Sequence, residues 1–150
     1  MRVWKALGSG LVGASALTLV HEMARRWVPE APRMDILGMR TIARVMRRAK
    51  LEPPEPDTLH TVTLAGDIVS NALYYSLIGL GSRRDAWLRG ILLGLAAGIG
   101  ALALPGLLGL GTAPSNQTNA TRAMTVAWYT AGAFVAAATY LRLTRGAVNQ

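Results

Sequence analysis

The chain has 150 residues, a one-domain length, yet 51% are of hydrophobic type, 16% are charged and the mean hydropathy is +0.29. Soluble domains carry about 25% charged residues, so this composition excludes a disordered chain and does not suit a water-exposed globule. There is no cysteine, which removes disulfides and thiolate metal sites. The net charge of +8 comes from basic residues set between apolar segments, a placement that suits anionic lipid headgroups better than a nucleic-acid face.

Four apolar stretches approach the roughly 20 helical residues that cross a hydrocarbon core. The first covers about residues 6–26, flanked by Arg2 and Lys5 before it and by His21, Glu22, Arg25 and Arg26 at its end. It is short and rich in Gly and Ser, and Ala14-Ser15-Ala16 resembles a leader cleavage site. The stretch is expected to be a retained helix that runs on to about Trp27.

A connection of about 30 residues follows and divides in two. Residues 34–50 have helical periodicity, with Ile36, Leu37, Ile42, Val45 and Met46 on one side and Arg40, Arg44, Arg47, Arg48 and Lys50 on the other. This predicts an amphipathic helix lying in the membrane surface, its arginines on anionic headgroups. Asp35 suits its N-cap or first turn, and the acidic, proline-rich residues 52–57 form a stiff linker from which Asp57 or Thr58 can cap the next helix.

The second span, about 59–80, is the most polar. Taking 100° per residue, His60, Asp67, Asn71 and Tyr74 fall within a narrow arc. A carboxylate in hydrocarbon costs several kcal/mol unless paired, protonated or wet, which makes Asp67 the first candidate for function. Such a stripe lines a proton or cation path, holds a polar solute, or hydrogen-bonds a neighbouring helix and fixes the bundle. His21 and Glu22 form a second polar cluster at the same membrane face as His60, and Glu22 can also pair with Arg25 or Arg26.

The third span, about 87–110, carries Gly90, Gly94 and Gly98 at spacings of four, a seam for close helix packing, and Pro105, expected to kink or end it. The fourth, about 123–141, closes with Arg142 and Arg145, after an uncharged loop over 112–121. Trp4, Trp27, Trp87 and Trp128 fall near span ends, as an interfacial belt does.

No HExxH, HxxxH or ExxH pair, phosphate loop, dinucleotide fingerprint or nucleophile elbow occurs, so the sequence predicts neither metal nor cofactor. Lys and Arg divide seven against nine between the two faces, which leaves orientation open and permits an antiparallel dimer. The expectation is therefore an all-α, multi-pass protein of a plasma or bacterial inner membrane, with four spans and one surface helix between the first two. It would act as a small transporter or channel for a cation, proton or polar solute, working as a homo-oligomer, with Asp67, Asn71, Tyr74 and His60 on the path. The alternatives are a membrane-embedded enzyme on a lipid or isoprenoid, with His21, Glu22, His60 and Asp67 at the interface, and an accessory or assembly subunit.

Overall fold

The computed structural model describes residues 2–145, and the described chain is all-helical. In chain order the elements are α1 (Arg2–Trp27), α2 (Met34–Arg48), α3 (Pro56–Ser76), α4 (Ala86–Leu107), the four-residue α5 (Ala113–Asn116) and α6 (Asn119–Leu143), with 3₁₀ turns at Leu77–Gly79 and Arg83–Asp85 between α3 and α4. Three helical stretches, Val3–Trp27, Arg83–Leu107 and Asn119–Leu143, are long and apolar enough to cross a membrane. With its 21 residues α3 is about 31 Å long, but its polar side chains keep it out of that group.

The long helices alternate in direction. At one end Ala6 meets Gly79, the Tyr140 hydroxyl donates to the Gly79 carbonyl, and Arg83 reaches Leu141 O and Thr144 Oγ1. At the other, Thr121 Oγ1 donates to Glu30 O and Arg33 N to Pro114 O. In cross-section the order is α3, α1, α6, α4, so α3 and α4 are the outer members and barely touch each other. α2 lies over the α3 side of the second end, burying Leu37 and Ala43.

Packing is set by small residues. A Cβ on Gly94 would lie 2.6 Å from Thr130 Cα, and one on Gly98 2.7 Å from Val126 Cα. The seam at Gly90, Gly94 and Gly98 is therefore filled by α6 of the same chain. Gly13 meets Gly132 and Ala136 in the same way across α1 and α6. Close backbone approach gives dispersion contacts that do not depend on water. Below the centre of the bundle the core is closed by Ala14, Leu17, Tyr75, Ile78, Ala133, Ala136 and Ala137, each at most 1% exposed.

Several local expectations are corrected. Pro105 lies inside α4, which ends at Leu107 and not 110. The stop comes from Gly109 at φ +66°, where Leu110 N bonds Pro105 O and Gly109 N bonds Gly106 O, the Schellman pattern that ties off the last carbonyls. α3 starts at Pro56, whose missing N–H costs nothing in a first turn, so neither Asp57 nor Thr58 caps it. Of the two places open to Asp35, the first turn of α2 is the one it takes, with Arg33 at the N-cap. Val45, placed on the apolar side, is 61% exposed. The 112–121 loop folds into α5 and the first turn of α6, where the Thr118 and Thr121 hydroxyls form a capping box.

Candidate functional site

The site is built where α1, α2 and α3 meet. A cavity of about 320 Å³ is lined by Thr18, His21 and Glu22 from α1, by Asp35 and Thr41 among others from α2, and by His60, Thr63 and Asp67 from α3. Its polar members follow from helical spacing: Thr18, His21 and Glu22 share one face of α1, and His60, Thr63 and Asp67 one face of α3. Gly38 lets α2 come close, because its bare backbone rests on Thr63 Cγ2.

Each carboxylate has a different environment. Glu22 Oε2 accepts from Arg25 Nη2 at 2.7 Å, the ion pair open to it in the sequence, while Glu22 Oε1 is 3.8 Å from His60 Nε2. Asp35 takes two bonds from Arg33, at 3.0 and 2.7 Å. Burial works against charge on Asp35, but the Arg33 hydrogen bonds and charge, with the Ile36 N–H, outweigh it and hold the carboxyl below the usual carboxylate range. Asp67 has neutral partners: Asn71 Nδ2 donates to Oδ1 at 2.8 Å, and Thr18 Oγ1 to Oδ2 at 3.4 Å. No Lys or Arg pairs with it among the described residues.

Asp67 also lines a second cavity of about 530 Å³ between α3 and α4, together with Asn71 and Tyr74, and with Ala97, Gly100 and Leu104 on the α4 wall. The predicted arc is thus divided. His60 and Asp67 belong to the first cavity, and Asp67, Asn71 and Tyr74 to the second. Tyr74 does not reach the carboxylate; its hydroxyl donates to Leu93 O at 3.1 Å and links the two outer helices. His21, whose side chain is buried, stacks edge-on against Trp128 and Tyr129 at 5.2 and 5.8 Å.

Three buried polar atoms around the first cavity have no hydrogen-bond partner: His21 Nε2, His60 Nε2 and Thr63 Oγ1. Buried donors and acceptors are almost always satisfied by protein or by ordered water. No three His, Asp or Glu side chains converge to hold a metal among the described residues. The sequence reading missed the contribution of α2, although Asp35, Gly38 and Thr41 recur at spacings of three on one helical face.

Arg40 and Arg44 have a role that the surface-helix pattern does not reveal. Arg40 Nη1 donates to Leu110 O at 2.8 Å and Arg44 Nη1 to Leu108 O, so both fasten α2 to the carbonyl end of α4 while staying exposed.

Fold and site define an all-helical protein with membrane-length helices and a polar cavity at one end of the bundle. No protein-family model, curated protein or solved structure matches the chain.

Proposed function

We propose that the chain is a four-span protein of a plasma or bacterial inner membrane that carries a cation, proton or small polar solute, with Asp67 as its binding charge. The observation that carries this reading is a carboxylate, about 16 Å along α3, that joins two cavities and has only neutral partners. An ionisable group at such depth is expensive unless it meets water, a proton or a cationic ligand.

Membrane insertion of α3 is supported by its outer face, where Val62, Val69 and Leu73 are 47%, 58% and 56% exposed while His60, Thr63, Asp67 and Asn71 turn to the cavities or the interior. The same holds for Leu88, Leu92 and Ile99 on α4. Trp4 and Trp27, 78% and 83% exposed, mark the two ends of α1 about 35 Å apart, the spacing of two interfaces. The arginines of α2, Arg40, Arg44, Arg47 and Arg48, then lie at the headgroups, where anionic lipid is their natural partner. A path for a solute continues past Tyr75 and Ile78 by movement of α3 against α4 or through a homo-oligomer. The enzyme reading ranks second: Glu22 is engaged by Arg25 at 2.7 Å and stands 3.8 Å from His60 Nε2.

The test is proton or cation flux in proteoliposomes under an imposed potential, followed with a pH-sensitive dye inside. Wild type should exceed protein-free vesicles, and Asp67→Asn should abolish the excess while preserving the helical fold. Equal flux for Asp67→Asn and wild type would reject the reading.

A further inference from the structure

The two cavities differ in character, and the difference bears on what is bound. The first holds the carboxylates Glu22, Asp35 and Asp67 beside His21, His60 and Thr63, on an otherwise largely apolar lining. Among the described residues neither cavity is lined by Lys or Arg. The second is a groove with a polar edge on α3 and an apolar wall on α4, and it is present because the outer helices stand apart. A small ion or sugar-like solute would use only the first chamber and leave the small residues of the α4 wall without a partner. A phosphate-bearing head would meet carboxylates, while the arginines Arg44 and Arg48 stand at a separate surface hollow beside Leu108.

Resting on the reading of Asp67 as the binding charge, we propose that the bound molecule is a single-chain amphiphile with an ammonium head. The head sits at Asp67 in the first chamber, where Glu22 and Asp35 add negative charge. The chain lies in the groove along Ala97, Gly100, Ala101 and Leu104. From Ala97 to Leu108 the α4 wall is roughly 16 Å long, room for an alkyl chain of roughly a dozen carbons. Volumes of about 320 and 530 Å³ fall in the range of small-molecule sites, roughly 300–1,000 Å³. Charge is matched by Asp67 and apolar surface by the α4 wall, so head and chain are recognised by different helices.

The experiment compares dodecyltrimethylammonium with tetramethylammonium, the same head without the chain, on the intact protein in maltoside micelles by native mass spectrometry. The expected result is at least tenfold tighter binding of the long-chain probe, a loss of at least tenfold in Asp67→Asn, and loss of the chain-length gain in Ala97→Phe with tetramethylammonium binding unchanged. Gly100→Leu fills the same groove if Ala97→Phe fails to fold, and the chain-length series on wild type decides without either. Equal affinity for the two probes, both dependent on Asp67, overturns the amphiphile proposal and leaves the polar-solute reading standing. Binding of either probe that is indifferent to Asp67→Asn overturns both, and no binding of either overturns the amphiphile proposal alone, since the flux assay decides proton or cation carriage.

Discussion

Asn71 stands one turn after Asp67 on α3, and its amide donates at once to the Asp67 carboxylate at 2.8 Å and to the Asp67 carbonyl at 3.0 Å. The pair fixes the carboxylate at the junction of the two cavities. Asn71→Ala removes both bonds from a buried group and should cost about 1–3 kcal/mol. Thermal unfolding followed by tryptophan fluorescence in detergent measures it; an unchanged midpoint would mean that Asn71 does not hold Asp67.

The α4 and α6 backbones approach too closely at Gly94 for any side chain. Gly94→Leu should therefore lower stability by about 1–3 kcal/mol, the cost of overpacking, or more if the helices part. Gly8, where an added Cβ meets nothing within 4 Å, supplies the control. Gly8→Ala should raise stability by about 0.5–1 kcal/mol through helix propensity alone.

The fastening of α2 is testable through its arginines. Removing the Arg40 bond to Leu110 O and the Arg44 bond to Leu108 O should release that edge of α2 from α4. At this exposure each is worth about 1 kcal/mol. Paired spin labels on α2 and α4, simple to place in a chain without native cysteine, should report a broader distance distribution in the Arg40→Ala and Arg44→Ala double variant. An unaltered distribution would place the hold on α2 in Leu37 and Ala43 instead.

Acid should loosen the same helix at its start. Folding lowers the Asp35 pKa, so the stability it contributes is complete above the unfolded value of about 3.9 and is lost as pH falls through the folded value. Amide exchange in the first turns of α2 should therefore quicken below about pH 4, beyond the intrinsic pH effect. Asp35→Asn should reproduce part of that loosening at neutral pH, because the Arg33 fork then meets an uncharged amide.

How far residues alone reveal this protein depends on whether the signal is local. The long helices and α2 follow from run length and period, and Gly90, Gly94 and Gly98 announce a packing seam through their spacing. Which helix fills that seam was not legible, because α6 offers several small residues and sequence does not order helices in cross-section. The polar arc on α3 reads directly from the 100° rule. Its division between two cavities does not, since that depends on where α2 lies and on the gap between α3 and α4. The end of α4 was placed too late because the apolar run continues to Leu110, whereas a left-handed Gly109 makes the stop after Leu107. Arg40 and Arg44 match the pattern of a surface face, and their bonds to carbonyls 70 and 64 residues away leave no trace in it.

If Asp67 sets the charge of the first cavity and that cavity opens at the α2 end, Gly66 is the position that reports both. This residue lines the first cavity, and a side chain there meets nothing within 4 Å. Gly66→Cys places one thiol beside an intact Asp67, and its reaction rates with a cationic and an anionic methanethiosulfonate of similar size report the local potential. The cationic reagent should be favoured by roughly tenfold over its preference for a free thiol, and adding Asp67→Asn should remove most of the difference. A thiol that neither reagent reaches from the α2 end, or a cationic preference that survives Asp67→Asn undiminished, would contradict that placement of opening and charge.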